Sequence, residues 1–293
     1  MDFKTSRLKQ LPAGNYIVAV SGGVDSVVLL DMLMQTGSAG GDYKFIVAHF
    51  DHGIRSDSAD DAKFVAGLAK KYGLPFETKR EELGGQASEE LARDRRYAFL
   101  RALAKKYQAK VITAHHADDA VETVVINLKR GTGWRGLAIL DSEVSRPLID
   151  FSKSEIIDYA KQNKLVWHED STNSSDAYLR NRLRQRLMVL DDDSKRQILA
   201  LRAQQIALKQ YIDSEVQQLV GVGPNYDRYF FTQANKLAAL ECLRFLTHRK
   251  LTRPQLDRSL IAIKTAKPRT IYEAGAGVEF IFTSRNFTIK LIK

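Results

Sequence analysis

Residues 16–20, YIVAV, form a short continuous apolar run, and the hexapeptide that follows them is Ser21-Gly22-Gly23-Val24-Asp25-Ser26. Paired glycines let a backbone turn sharply and approach a ligand closely. A helix N-terminus with successive amide groups is an anion-binding site, and Ser21 and Ser26 add hydroxyl donors. The hexapeptide therefore predicts a phosphate-binding loop between a buried strand and a helix.

The first 120 residues repeat this alternation of strand and helix. Further strand-like runs lie at 45–48, 74–78 and 110–114, and helical patterns at about 25–35, 57–72 and 87–107. Apolar runs without strict alternation are typical of strands covered on both faces. The order predicts an α/β fold with a doubly wound, Rossmann-like parallel sheet. Ligands bind at the carboxyl ends of such strands, so the residues after each strand are the candidates for chemistry.

The pattern changes after about residue 150. Ser152-Lys153-Ser154-Glu155 is a capping box that opens a helix to about Asn163. A long helix is predicted at 194–220, before a Gly/Pro cluster at 221–224. Beyond the cluster we expect helices at 233–248 and 253–266 and strands at 270–273, 278–283 and 286–292. The predicted organisation is a catalytic domain at 1–190, a helical linker at 191–222 and a small α+β domain at 223–293.

Composition excludes several classes of protein. The chain has 293 residues, 44% hydrophobic and 27% charged, which excludes disordered and collagen-like chains. No run approaches the roughly 18 apolar residues of a membrane span, so we expect no membrane partner. The N-terminus has no apolar segment typical of a secretory signal. Cys242 is the one cysteine, which excludes a disulfide framework and every CxxC site, and favours a cytoplasmic location.

The positive charge is concentrated at the C-terminal end. The net charge is +10 for the chain, +3 for residues 1–190, −1 for 191–222 and +8 for 223–293. A basic block of this kind favours a polyanionic partner, usually nucleic acid. The alternative is a basic surface that serves solubility alone.

A second cluster follows the second strand, His49-Phe50-Asp51-His52-Gly53-Ile54-Arg55. In this fold it lies beside the glycine loop, so His49 and Phe50 are candidates for the same ligand site. His49, Asp51 and His52 also have the spacing of metal ligands. That alternative is weaker, because no further His or Cys lies nearby in the sequence to complete a zinc site.

A third cluster follows the fourth strand, at 113–123, TAHHADDAVET. His115, Asp119 and Glu122 are spaced i, i+4 and i+7, so we expect them to share one helical face. Two carboxylates and an imidazole near a phosphate loop are suited to Mg²⁺ binding and proton transfer. Asp25 also needs a divalent cation between itself and a phosphate. The alternatives are acids that complement the helix dipole and, for Asp25, a helix cap.

Basic stretches complete the set of motifs. They are EELARDRRY at 89–97, KRGTGWRGL at 129–137, RPL at 146–148 and EDSTNSSDAYLRNRLR at 169–184. Arg180 and Arg184 are four residues apart and would share a helix face. An alternating arginine run is equally typical of a solvated helix.

The hexapeptide resembles the SGGxDS signature of the PP-loop ATP pyrophosphatases. The whole set of motifs, in order, is similar to that of the tRNA(Ile)-lysidine synthetase family. The resemblance covers residues 14–190 closely and the last 70 residues more loosely, as a small tRNA-contacting domain. One departure is Ala120, where the family usually has Gln; it leaves His115, Asp119 and Glu122 unaffected.

The resemblance implies an enzyme that uses ATP and Mg²⁺ to join free L-lysine to an isoleucine tRNA with a CAU anticodon. ATP adenylates the C2 oxygen of the wobble cytidine, and the lysine ε-amine then displaces AMP. Asp25 and Asp119 would hold the metal. His115 would stabilise phosphoryl oxygens or shuttle a proton, and Glu122 or Asp119 would orient the lysine ammonium or accept its proton. The hexapeptide, His49, Phe50 and His115 would bind ATP. The residues expected to bind tRNA are Arg93, Arg96, Lys129, Arg130, Arg180, Asn181 and Arg184.

Three rivals remain at this point. A 2-thiolating relative would generally need paired cysteines, whereas Cys242 stands alone. A tRNA-binding module without catalysis would not need the acids of the second and third clusters. A free-nucleotide synthetase would not need the basic block, in which the expected tRNA contacts are Arg244, Arg249, Lys250, Arg253 and Arg258. The sequence leaves open whether the chain forms a homodimer.

Overall fold

The computed structural model describes residues 11–37, 43–53, 58–84, 88–140, 144–168, 190–221 and 223–292. The chain divides into two compact units, and the second begins at Ala207. Within the described residues, no helix is both long enough and apolar enough to cross a bilayer.

The first unit is built on four parallel strands in the order β3-β2-β1-β4. Their bounds are β1 Gly14–Ala19, β2 Tyr43–Asp51, β3 Phe76–Arg80 and β4 Lys110–Ile112. Val18 of β1 pairs with Val47 of β2 and with Ile112 of β4, so β1 is central. Since β1 leads directly into the hexapeptide, the glycine loop lies at the middle of the carboxyl edge.

Helices cover both faces of this sheet, which confirms the doubly wound α/β prediction. They are α1 Val24–Gly37, α2 Ser58–Lys71, α3 Glu89–Lys106, α4 Ala117–Lys129 and α5 Lys153–Gln162. Val18 packs with Leu29 of α1 and Ile156 of α5 on one face. Its neighbour Ile17 packs with Leu100 of α3 on the other. Successive side chains of a strand point to opposite faces of the sheet, so Ile17 and Val18 pack on different helices.

The start of α5 confirms the predicted capping box. Glu155 donates its backbone N–H to the Ser152 hydroxyl over 3.2 Å, and its carboxylate accepts the Ser152 N–H over 2.7 Å. The two bonds satisfy backbone donors that a helix start leaves without intrahelical partners.

A buried carboxylate joins three elements on the α1 side of the sheet. Asp31 of α1 is 8% exposed. It accepts hydrogen bonds from Tyr72 and Tyr159 at 2.7 Å each and from Gln35 at 2.8 Å. Burial raises the pKa of both tyrosine hydroxyls, and the bond to Asp31 raises it further. The sequence gives no sign of this cluster, because its members lie up to 128 residues apart.

The long helix α6 runs from Asp192 to Val220, close to the predicted 194–220. The boundary between the units, after Ile206, falls inside it. The predicted domain limits at 190/191 and 222/223 lie at its two ends and stay a prediction.

The second unit is a small α+β module, as the sequence predicts. Its elements are β5 Asn225–Asp227, α7 Arg228–Gln233, α8 Lys236–Leu246, α9 Arg253–Thr265, β6 Ile271–Gly275, β7 Val278–Phe282 and β8 Asn286–Leu291. The sheet is antiparallel, in the order β5-β8-β7-β6. Its core includes Phe231, Leu243, Phe280 and Phe287. The sequence predicts neither β5 nor α7, because elements of three and six residues are too short to show a period.

We expect Asp31→Ala to lower the free energy of unfolding by about 2–4 kcal/mol, because it leaves the hydroxyls of buried Tyr159 and half-buried Tyr72 without their acceptor. Tyr72→Phe removes one donor and leaves Asp31 its other partners, so its loss should be about 1 kcal/mol. Urea unfolding at pH 7 measures both. Equal losses in the two variants would contradict the central role of Asp31.

Candidate active site

The glycine loop joins the end of β1 to the first turn of α1. Gly22 has a φ of +100°, a conformation that a side chain strains. The Gly23 carbonyl accepts the backbone N–H groups of Ser26 and Val27 at 3.1 Å each, which begins the helix. Val20 donates its N–H to Ala48 at 2.9 Å, so the loop is attached to β2 as well.

The Ser26 hydroxyl holds the loop together. It accepts the backbone N–H groups of Ser21 and Gly22 at 3.2 Å each and donates to the Gly23 carbonyl at 2.8 Å. Ser26 is 4% exposed, whereas the Ser21 side chain is exposed. Ser26 thus organises the loop from within, and Ser21 is the hydroxyl that a ligand can reach. That Ser21, Gly22, Gly23, Val24 and Ser26 bind a phosphate stays a prediction.

Asp25 lies in the first turn of α1 between two cationic or protonatable groups. Its Oδ1 is 2.5 Å from Nζ of Lys153, the first residue of α5. Its Oδ2 is 3.8 Å from Nε2 of His116. The sequence predicts neither neighbour of Asp25, because Lys153 and His116 lie far from it along the chain. The sequence pattern indicates only a capping box at Lys153.

His116 is buried among three carboxylates. Its Nε2 lies 3.5 Å from Oδ2 of Asp119, and its Nδ1 lies 3.8 Å from Oδ2 of Asp118. The His116 backbone N–H also donates to Asp119 over 3.0 Å, so Asp119 caps the start of α4. Asp25 and Asp119 therefore approach the same imidazole nitrogen, which brings together the two residues predicted to hold a metal.

Asp118 links this cluster to two lysines. It accepts the Lys153 backbone N–H at 2.7 Å and the Lys195 ammonium at 3.0 Å. Burial opposes the charged form of Asp118, but these two donors outweigh it and hold the pKa of its carboxyl below the usual range. Asp118 stays ionised and fixes the start of α5 against the start of α4.

The third cluster differs from the prediction at its first residue. Helix α4 begins at Ala117, so His115 precedes the helix and does not share its face. Asp119 and Glu122, three residues apart, do share a face, and Glu122 is only 1% exposed. Asp119 accepts the His116 backbone N–H and caps the helix, which therefore begins two residues after His115.

His115 is held in its neutral form. Its Nδ1 lies 2.8 Å from the Thr113 hydroxyl. Burial lowers the pKa of His115 to about 3; Asp119 opposes this shift, and Arg146, Arg93 and Arg96 reinforce it. Near neutral pH the imidazole therefore acts as a hydrogen-bonding group and carries no charge.

The residues expected to bind tRNA differ in what the structure says of them. Arg93 and Arg96 of α3 lie near His115, with their guanidinium carbons 4.9 and 5.8 Å from the Tyr97 ring centre. Lys129 and Arg130 are exposed at the end of α4. Arg180, Asn181 and Arg184 lie outside the described residues.

His49 and Phe50 lie near the carboxyl end of β2, beside the glycine loop. His49 is 4% exposed, and its Nδ1 donates to the Val20 carbonyl over 2.9 Å. The proton on Nδ1 leaves Nε2 as an acceptor, and no described residue donates to it. Phe50 packs on Phe99 and His52. The weaker alternative is a metal at His49, Asp51 and His52. It gains no support, because the described residues contain no group of three or more His, Cys, Asp or Glu side chains placed to hold a metal ion.

The donor set near Asp25 fits Mg²⁺ better than zinc. Mg²⁺ takes one or two carboxylates together with water and phosphate oxygens. Asp25 and Asp119 supply the carboxylates, and both lie within 3.8 Å of one His116 nitrogen. Structural zinc sites use a closed set of Cys and His ligands, and the one cysteine, Cys242, lies in the second unit.

Comparisons with known proteins agree with this geometry. A family model described as a PP-loop domain matches residues 3–190. A tRNA(Ile)-lysidine synthase from Exiguobacterium sibiricum is 38% identical over 187 residues, 61% of this chain and 44% of the relative. One from Thermotoga maritima is 40% identical over 184 residues, 59% of this chain and 44% of the relative. The matches thus span less than half the length of these relatives.

A solved structure supports the fold alone. The U34-tRNA thiolase NcsA from Methanococcus maripaludis, with its 4Fe-4S cluster, superposes with a TM-score of 0.58. It is 16% identical and covers 70% of this chain and 77% of its own.

We expect the His115 imidazole to stay neutral from pH 8 down to pH 5, because its pKa is lowered to about 3. The unfolded chain takes up a proton near pH 6.5 that the folded chain refuses, so this residue lowers stability as pH falls from about 6.5 towards 3. Long-range ¹H–¹⁵N NMR of the ring measures the titration. A midpoint above pH 6 would contradict the burial of this ring.

Proposed function

The chain belongs to the PP-loop domain family, and on that premise we propose that it makes lysidine in tRNA. It would use ATP to join free L-lysine to the wobble cytidine of an isoleucine tRNA with a CAU anticodon. The similarity to lysidine synthases over about 60% of this chain supports this reaction. The observation that carries it is the convergence of Asp25, His116 and Asp119 beside the glycine loop.

In the first step the cytidine C2 oxygen attacks the α-phosphorus of ATP, and pyrophosphate leaves. The exposed Ser21 hydroxyl and the backbone N–H groups of Val24 and Asp25 at the start of α1 would bind the phosphates, since the first amides of a helix have no intrahelical partner. Mg²⁺ on Asp25 and Asp119 would supply charge neutralisation for the departing pyrophosphate. Neutral His115 would accept or donate one hydrogen bond at a phosphate or base oxygen.

In the second step the lysine ε-amine attacks C2, the C2–O bond breaks, AMP leaves and the amine loses a proton. Glu122 is buried next to Asp119 on the same helix face and is suited to orienting the ammonium or accepting that proton. Arg93 and Arg96 lie near His115 and would contact the anticodon loop, whose splayed bases and phosphates suit stacking and ion pairing.

Sulfur transfer, the rival reaction, has no chemical support in the chain. Cys242 is its single cysteine and is buried in the second unit. Burial raises the pKa of its thiol to about 11, which disfavours the reactive thiolate.

Mass spectrometry of an isoleucine tRNA transcript tests the reaction directly. Incubation with ATP, Mg²⁺ and lysine should add one lysine to the anticodon loop and release AMP and pyrophosphate. Release of ADP and phosphate, or a mass change that does not depend on lysine, would refute the proposal.

Asp25→Asn should lower the rate of lysidine formation at least about 100-fold, because the amide is a poorer ligand for Mg²⁺ where charge develops. The fold should survive, since Asp25 is 30% exposed. The control is Asp60→Asn, which removes an exposed acid of α2 that pairs with Lys63. Near-normal turnover in Asp25→Asn would mean that Asp25 is only a helix cap.

The basic second unit should add affinity for tRNA without adding chemistry. Of the five cations expected to contribute, Arg244, Arg249 and Arg253 form ion pairs with Glu241, Asp213 and Asp257. Lys250 and Arg258 are exposed. Reversing both, in Lys250→Glu/Arg258→Glu, should make the slope of log K against log salt shallower by roughly 0.7–0.9 for each lost phosphate contact.

The matched control for this measurement is Lys110→Glu, an exposed lysine at the amino end of β4 and so on the opposite edge from the site. Its slope should equal that of the unchanged chain. If the double variant also has the same slope as the unchanged chain, the result would favour a basic surface that serves solubility alone.

A further inference from the structure

We propose that Lys153 is a positioning residue of the phosphate site, and that its ammonium exchanges places at Asp25 with the divalent cation that arrives with ATP. Lys153 holds the carboxylate before the nucleotide binds and then moves to a phosphate oxygen. The inference rests on the proposed use of ATP, and it deepens that proposal.

The contact itself is the first reason. Nζ of Lys153 is 2.5 Å from Oδ1 of Asp25, across 128 residues of sequence. The ammonium therefore lies directly on the carboxylate that was predicted to hold a metal. A divalent cation on the same oxygen would meet strong repulsion from a fixed positive charge at this distance.

The place of Lys153 on its helix is the second reason. Lys153 is the first residue of α5, where the helix dipole is positive and disfavours a cation. The Ser152–Glu155 capping box satisfies the helix start without any help from the lysine side chain. The stability of α5 therefore does not explain a lysine here.

The energetics of the ion pair are the third reason. The side chains of Lys153 and Asp25 are 41% and 30% exposed. Solvent-accessible pairs contribute little to stability. The fold gains little from this contact, so its value lies in where it places the two charges.

The backbone of Lys153 is fixed while its side chain can move. Asp118 accepts the Lys153 N–H at 2.7 Å, and Lys195 holds the other oxygen of Asp118 at 3.0 Å. A half-exposed lysine arm on a fixed base can turn from a carboxylate to a phosphate oxygen nearby. Once phosphates are bound, the ammonium has a new anionic partner and Asp25 becomes available to the metal.

Titration of the full chain with Mn²⁺, followed by electron paramagnetic resonance, tests the exchange. Without nucleotide, Lys153→Met should bind Mn²⁺ about 10-fold more tightly than the unchanged chain, because the competing charge is gone. With a non-hydrolysable ATP analogue, the variant should bind the nucleotide about 10-fold more weakly, because one phosphate contact is lost. Lys161→Met, an exposed lysine of the same helix, should change neither affinity.

Two further variants make the result specific. Lys153→Arg keeps the charge and should bind Mn²⁺ as weakly as the unchanged chain. Adding Asp25→Asn to Lys153→Met should abolish the gain in Mn²⁺ affinity. If Lys153→Met binds Mn²⁺ no more tightly than the unchanged chain, the exchange is wrong. If the variant gains Mn²⁺ affinity but the unchanged chain forms no lysidine, the proposed reaction is refuted and the exchange stands.

Discussion

The site depends on one hydroxyl group. Ser26 gathers the amides of Ser21 and Gly22 and donates to the Gly23 carbonyl, and this fixes the turn from β1 into α1. Because β1 is the central strand, the turn places the start of α1 at the middle of the carboxyl edge. Asp25 then lies at a defined point, and the residues that follow the other strands can converge on it.

Charge compensation arranges the second layer of the site. Three aspartates surround His116, and two lysines, Lys153 and Lys195, neutralise them from α5 and α6. Asp118 serves structure, because both its oxygens are bound to lysine groups. Asp25 is paired with one solvent-accessible ammonium, that of Lys153, and lies 3.8 Å from the His116 ring, which leaves it the adaptable member of the set. Asp118 has two lysine partners and fixes the site, whereas Asp25 has one and can exchange it.

The sequence predicts what depends on local order and misses what depends on distant contacts. The glycine loop, the strands of the first sheet and the α5 capping box follow from short stretches of residues. The predicted start of α4, at or before His115, is too early, because Asp119 caps the helix by accepting the His116 backbone N–H. Lys153, His116 and Asp31 acquire their roles from residues on other elements, and a single sequence carries no signal for such contacts.

The central claim is that this site activates a base oxygen by attack on the α-phosphate of ATP. Isotopic labelling tests it most directly: an isoleucine tRNA carrying oxygen-18 at C2 of the wobble cytidine is incubated with ATP, Mg²⁺ and lysine. The account predicts that the AMP released contains the heavy oxygen, because the C2–O bond breaks when the amine attacks. AMP without the label, formed together with lysidine, would contradict the account.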